Sequence, residues 1–143
     1  MTSAAVMPNK AVTRQRVLVV DDEPQSRETV GKALARAGFE PRLAATGEQG
    51  LWMLRTPPRH VDWLCTKTEL PGLVDGWILA DAFHQAHPSR PVLYAAASKV
   101  VPDEHGRDVV LASPVLPWEV AEVLLAFVQN EGVPASALTR WAA

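Results

Sequence analysis

Short apolar runs alternate along the chain with longer segments in which apolar residues recur at helical spacing. The first run, residues 17–20 (VLVV), is apolar at every position and ends at an acidic pair. A strand that is apolar on both faces must be covered on both faces, which is typical of a parallel sheet. Four later runs have the same character. The five predicted strands are residues 17–20, 39–45, 61–66, 91–95 and 109–112.

Four segments follow a helical period, and residues that start or stop helices bound them. Gly38 follows the last apolar position of the first segment and is suited to a C-terminal cap. Before the second segment, Thr46 stands three residues ahead of Gln49, which is an N-capping pattern. Since strands and helices alternate, the chain predicts right-handed crossovers and a doubly wound parallel sheet. The predicted helices are residues 25–37, 50–55, 77–86 and 117–129.

Length, composition and charge limit the class of protein. The chain has 143 residues, 48% of them hydrophobic and 21% charged, which is typical of one soluble globular domain. We expect a loose leader over residues 1–15, the domain over residues 16–130 and a tail over residues 131–143. A net charge of -2 without a basic tract excludes binding of nucleic acid by phosphate neutralisation alone.

Cysteine content and hydropathy suggest the compartment. The single cysteine, Cys65, excludes an internal disulfide and a cysteine-rich zinc site. No stretch approaches the ~18 apolar residues of a membrane span, and the start of the chain has no apolar secretory segment. We therefore expect a cytoplasmic protein that does not bind membranes.

Five ordered segments over residues 16–129 resemble the CheY-like receiver domain of two-component response regulators. The segments are VLVVDDEPQSRETVGKALARAGFE, AATGEQGLWMLR, VDWLCTKTELPG, RPVLYAAAS and ASPVLPWEVAEVL. The resemblance implies an α/β fold of the flavodoxin-like type, with five parallel strands in the order 2-1-3-4-5 between two helical layers. It also implies that the chemistry lies at the carboxyl ends of the strands.

In receiver domains, two acids after the first strand hold a magnesium ion, and an aspartate that ends the third strand accepts a phosphoryl group from a histidine kinase. The resemblance places the two acids at Asp21 and Asp22. The phosphoacceptor position, four residues before Pro71, is occupied by Lys67, which cannot form an acyl phosphate. We therefore predict that this chain has no phosphoacceptor and no catalytic residue.

The residues that contact the phosphoryl oxygens in receivers are also altered. The position of the Ser or Thr after the fourth strand is Ala96, and the lysine before Pro114 is replaced by Ser113. Val110 stands at the position of the aromatic switch residue. The segment between Ala96 and Ser113 is several residues short, so we expect the family's fourth helix to be short or lost.

Lys67 is the most informative of these changes. If the fold is right, its ammonium projects toward Asp21, Asp22 and Glu69, where it replaces the magnesium charge and blocks metal binding. The alternative is that Lys67 points to solvent. Other carboxylates are poorly placed as acceptors, because Asp62 lies five residues earlier, about 16 Å along the strand. Asp75 reaches the pocket only if its loop refolds.

The sequence therefore predicts an atypical receiver that acts by phosphorylation-independent protein interaction and needs no cofactor. Its expected partner is a histidine kinase, another regulator or a second copy of the chain. Two alternatives use the same pocket: phosphorylation at an unconventional residue, and sensing of a small molecule. An enzyme is disfavoured because no nucleophile and base pair is evident. DNA binding is not expected, since the stretch after Gln129 is too short for a helix-turn-helix domain.

Tryptophan and histidine positions suggest an interaction face. Neither Trp118, near the start of the last helix, nor Trp141, in the tail, is forced inside, and both are candidates for binding together with His105. Packing of the tail on its own domain is the alternative. We expect Trp52, Trp63 and Trp77 to pack within the fold. The pair His84 and His87 lacks further metal donors, so we expect both histidines at the surface.

Overall fold

A computed structural model describes residues 15–56, 61–96, 108–112 and 114–129. Within these ranges the strands form one parallel sheet in the order β2-β1-β3-β4-β5. The strands are β1 (Arg16–Val20), β2 (Glu40–Ala44), β3 (Trp63–Lys67), β4 (Leu93–Ala96) and β5 (Val109–Ala112). The helices are α1 (Pro24–Arg36), α2 (Gly47–Arg55), α3 (Gly76–Ala86) and α4 (Pro117–Gln129). The predicted fold class and strand order are confirmed.

The residues expected to bound the helices have that role. Gly38 has φ +102°, a left-handed conformation that glycine adopts without steric cost, and it ends α1. Thr46 Oγ1 accepts a hydrogen bond from Gln49 N at 3.0 Å, and Gln49 Oε1 accepts one from Ala45 N at 2.9 Å. This reciprocal pair satisfies backbone donors at the start of α2.

Alternate residues of the central strands face two separate cores. On one face, Val17 and Val19 pack with Leu34 of α1 and Phe127 of α4. On the other face, Leu18 and Val20 belong to the core that includes residues of α3. The side chains of β1 are at most 2% exposed from Val17 to Val20, so this strand is covered on both faces as its sequence predicts. The sheet is thus a middle layer between α1 with α4 and α2 with α3.

The third strand begins and ends later than the sequence suggests. It extends to Lys67, which pairs with Ala95 of β4. Asp62 stands outside the strand, where its carboxylate accepts a hydrogen bond from Arg16 N at 2.8 Å. Lys67 therefore lies at the carboxyl end of β3, the end at which β1 leads into its acidic pair.

The tryptophans expected in packing differ in burial. Trp63 is fully buried and Trp77 packs against Tyr94, as expected. The expectation for Trp52 is wrong, because it lies on the outer face of α2 and is 64% exposed. His84 and His87 are half-buried instead of exposed. Both rings donate to backbone carbonyls: His84 Nε2 lies 3.1 Å from Arg90 O, and His87 Nε2 lies 3.0 Å from Val61 O.

Two further expectations concern the fourth helix of receiver domains and membrane-spanning helices. The segment in which the fourth receiver helix was expected falls largely on residues 97–107, outside the described residues. Among the described residues, no helix is both long and apolar enough to cross a membrane.

Candidate functional site

The carboxyl ends of β1 and β3 lie side by side and create a cleft. Val20 pairs with Thr66 in the parallel register, so Asp21, which follows β1, is beside Lys67 at the end of β3. The cleft has a volume of about 250 Å³. Its lining residues come from the strand ends, the start of α1 and the approach to α4: Asp21, Glu23, Ser26, Lys67, Ala95, Ala96 and Val115.

Lys67 lines this cleft and pairs with its acids, while 35% of its side chain stays exposed. Its Nζ lies 2.9 Å from Asp22 Oδ1 and 3.9 Å from Asp21 Oδ1. The hydrogen bond from Lys67 lowers the pKa of Asp22, and the same bond raises the pKa of Lys67. Both shifts keep the pair ionised at neutral pH. Glu69 is exposed, and no ion pair joins it to Lys67 in the described part of the chain.

Asp21 is held by donors from its own chain. It is 8% exposed; its Oδ1 accepts a hydrogen bond from Glu23 N at 2.9 Å, and its Oδ2 accepts one from Ser26 Oγ at 2.7 Å. The guanidinium of Arg27 donates to the backbone carbonyl of Asp21 at 2.8 Å. Both carboxylate oxygens therefore already have hydrogen-bond partners, which is what a buried carboxylate requires.

This donor set does not fit a magnesium ion. Magnesium takes hard oxygen ligands in near-octahedral geometry. Here the Nζ of Lys67 is within 4 Å of both acidic side chains, and Asp21 is engaged by Glu23 and Ser26. No group of three His, Cys, Asp or Glu side chains is arranged to hold a metal among the residues that the structure describes.

The remaining positions expected in the pocket place few polar side-chain groups there. Ala96 is 4% exposed, lines the cleft and has no hydroxyl. Pro114 is exposed, and Ser113 lies outside the described residues. Thr66, one residue before Lys67, is buried and donates its hydroxyl to the backbone carbonyl of Lys67 at 2.9 Å.

Four lining residues were not among the pocket residues expected from the sequence: Glu23, Ser26, Ala95 and Val115. Ser26 reaches Asp21 because α1 begins at Pro24, which brings the third helical residue back over the end of β1. Its position five residues after Asp21, in the first turn of a predicted helix, is the signal that could have indicated this contact. Val115 belongs to the approach to α4, whose path the sequence pattern does not specify.

Close backbone contacts fix the loop that follows Lys67. A Cβ atom at Gly76 would lie 2.2 Å from Lys67 O, so only glycine fits where α3 begins. At the other side of the loop, Glu48 Oε2 accepts a hydrogen bond from Leu73 N at 2.9 Å. Asp75 Oδ1 accepts one from Ile78 N and thereby caps α3. Asp75 therefore has a structural role at the helix start.

The residues expected at an interaction face and the single cysteine differ in exposure. Trp118 is 56% exposed and Leu116 is 43% exposed, both beside the start of α4. Trp141 and His105 lie outside the described residues. Cys65 is buried, and burial raises the pKa of its thiol to about 12, so it is not a nucleophile at neutral pH.

The strand order and the helical layers on both faces match the flavodoxin-like CheY fold, and solved receiver domains of response regulators superpose on the chain. A response regulator receiver protein from Sinorhizobium medicae WSM419 superposes with a TM-score of 0.66 at 24% identity, over 81% of this chain and 93% of that one. A CheY-like receiver domain protein from Methanospirillum hungatei JF-1 gives a TM-score of 0.67 at 20% identity, over 80% of this chain and 94% of that one. These likenesses show the fold.

Sequence similarity to curated proteins is partial. The chain is 35% identical to the transcriptional activator protein IrlR of Burkholderia pseudomallei, strains 1026b and K96243, over 88 residues. These residues are 62% of this chain and 37% of IrlR, so the chain spans little more than a third of the curated relatives it matches. No family model matches the chain.

Proposed function

We propose that this chain is an atypical receiver domain in two-component signal transduction that acts through protein–protein interaction without being phosphorylated. The observation that carries the proposal is Lys67, which stands at the end of β3 with its Nζ 2.9 Å from Asp22. Its partner is a histidine kinase, another regulator or a second copy of the chain. The receiver fold supports the class of protein, and the altered cleft supports the mode of action.

The groups needed for phosphoryl transfer are replaced. Such transfer depends on a placed nucleophile, with a metal and cationic groups that neutralise the developing charge. Lys67 is a protonated ammonium with a raised pKa, and Ala96 offers no hydroxyl. The carboxylates of Asp62 and Asp75 lie outside the cleft, where each accepts a hydrogen bond from a backbone N–H group. The described residues therefore offer no conventional route to an acyl phosphate.

The ion pair between Lys67 and Asp22 also supports a cleft that keeps one conformation. A switch requires a group that interacts differently with two states, such as a phosphoryl charge that is added and removed. Lys67 places a permanent positive charge between the two acids. We infer that this charge replaces magnesium and holds the cleft in the arrangement seen here.

The test of the proposal is the intact mass of the protein after incubation with acetyl phosphate and magnesium. The natural chain is expected to gain no phosphoryl group, because it has no acceptor at the end of β3. The Lys67→Asp variant restores a carboxylate at that position and serves as the reference, with one phosphoryl group expected. A phosphoryl group on the natural chain would contradict the proposal, and mapping it would identify an unconventional acceptor.

Removing the ammonium should favour magnesium. In Lys67→Ala, the affinity for magnesium is expected to rise about three- to tenfold, because the ammonium beside Asp21 and Asp22 repels an incoming cation. The effect is moderated by solvent, since the side chain of Lys67 is 35% exposed. Isothermal titration calorimetry at constant ionic strength measures it.

The matched control is Lys32→Ala. Lys32 is an exposed lysine of α1 that does not line the cleft, so its removal changes the net charge equally. Equal magnesium affinity in the two alanine variants would show that Lys67 does not suppress metal binding.

A further inference from the structure

A smaller cavity, of about 30 Å³, adjoins the cleft and extends into the core between the sheet and the layer of α1 and α4. Its polar wall consists of Asp21, Ser26, Thr66 and Lys67, and the rest of its lining is mostly aliphatic, with Val30 from α1 and Val120 from α4. A water molecule needs at least roughly 10–15 Å³ of such space and two to four polar partners. The cavity therefore has the size and the lining of a site for water.

Lys67 and Asp21 have hydrogen-bonding capacity left on the polar wall. The Nζ of Lys67 carries three N–H donors, and Asp22 Oδ1 accepts one of them at 2.9 Å. The same Nζ lies 3.9 Å from Asp21 Oδ1, which exceeds the roughly 3.2 Å of a direct N–H···O bond. Asp21 Oδ1 accepts a hydrogen bond from Glu23 N, and an ionised carboxylate has about four acceptor sites. The ammonium and this acid thus face each other without a direct hydrogen bond.

The gap between these two charges fits one bridging water. Polar groups separated by more than 3.5 Å are commonly joined by a water molecule, and one that lies about 2.8 Å from each atom spans this gap. Asp21 is 8% exposed, and a buried carboxylate is stabilised by every further donor that reaches it. The hydroxyl of Ser26 donates to Asp21 Oδ2 and keeps acceptor sites of its own. Three polar partners are therefore available to the water.

We propose that one water molecule binds in this cavity and bridges the ammonium of Lys67 to the carboxylate of Asp21. It accepts a hydrogen bond from Nζ and donates to Asp21 Oδ1 and to the hydroxyl of Ser26. One lysine then serves both acids, Asp22 directly and Asp21 through the water, and β1, β3 and the start of α1 are joined in one network. This inference rests on the proposed function and names the ligand that helps to keep its cleft in one arrangement.

The test is the nuclear Overhauser effect between water and valine methyl groups, measured on the full chain with ¹³C-labelled valine. Val30 and Val120 line the cavity, whereas Val17 and Val123 belong to the same core and do not line it. We expect cross-peaks to the water signal, with the sign of a long-lived water, at Val30 and Val120 only. A high-resolution crystal structure should show a water oxygen within hydrogen-bond distance of both charged groups. Cross-peaks at none of the four valines, or equal ones at all four, would overturn the proposal.

Two lysine variants test the bridge. Lys67→Met keeps an unbranched apolar stem but removes the donors, and it should weaken the cross-peaks at Val30 and Val120 at least about threefold, because the water loses a charged partner. Lys32→Met makes the same change at an exposed lysine of α1 that does not line the cavity, and it should leave the cross-peaks unchanged. Equal cross-peaks in the two variants would show that Lys67 does not hold the water.

Xenon separates a hydrated cavity from an apolar one, since apolar cavities that stay dry take up xenon. Under xenon pressure, the methyl shifts of Val30 and Val120 are expected to stay unchanged. Saturable shifts at these two residues would contradict a bound water. None of these measurements bears on phosphorylation, which the intact mass tests separately. A chain that lacks the bridging water and still gains no phosphoryl group would retain the proposed function without this site.

Discussion

Gly76→Ala is expected to lower the free energy of unfolding by about 3 kcal/mol, at the upper end of the cost of overpacking. The added Cβ atom would lie 2.2 Å from Lys67 O and 2.9 Å from Thr68 Cα. Both are backbone atoms at the end of β3, which cannot rotate away as a side chain can. Urea denaturation followed by circular dichroism measures the loss.

The control for this substitution is Gly31→Ala. Its added Cβ atom would lie 3.2 Å from Leu43 Cδ2, at the end of a flexible side chain that is 37% exposed. Alanine within a helix is about 1 kcal/mol more favourable than glycine, so this variant should be close to the natural chain in stability. Equal urea midpoints for Gly76→Ala and the natural chain would show that α3 is not packed against Lys67 in this way.

Trp63→Ala is expected to cost about 3–5 kcal/mol, as for other large aromatic side chains removed from a core. Trp63 is fully buried, its ring centroid lies 5.8 Å from that of Phe127, and the guanidinium of Arg90 lies 4.8 Å above it. Its indole N–H also donates to the side chain of Gln15. The substitution therefore removes packing between β3 and α4 together with a cation–π contact.

Trp52→Ala is the matched control, because it removes the same side chain from a position that is 64% exposed. Its effect should stay within about 0.5 kcal/mol, the range of ordinary surface substitutions. Urea midpoints of the two variants compare them directly. Similar losses at both positions would contradict the assignment of Trp63 to the core and of Trp52 to the surface.

The elements of the sheet could be predicted because their signals are local. The apolar run of β1 and the period of α4 depend only on neighbouring residues, and the predicted last helix has the same bounds as α4, Pro117–Gln129. Thr46 and Gln49 cap α2 through contacts within four residues. The strand order required the ordered likeness to receiver domains, since pairing is not local.

Exposure and long-range polar contacts were less predictable. Trp52 is apolar, but the phase of α2 turns it away from the sheet, and this phase depends on Gly50 packing against Val20 and Leu79. His84 is polar, yet its ring is drawn inward by Arg90 O and by Asp108, which is 3.4 Å away. Such contacts join residues that only the folded chain brings together.

Under the proposed function, the ion pair of Lys67 with Asp22 also determines what sets the strength of the signal. A phosphoryl group has a lifetime, so a conventional receiver measures how recently its kinase acted. The ammonium of Lys67 is encoded in the chain, and its bond to Asp22 at 2.9 Å needs no kinase to form it. Under the proposed function, the output of this domain follows its abundance, and a cell would regulate it through synthesis and proteolysis.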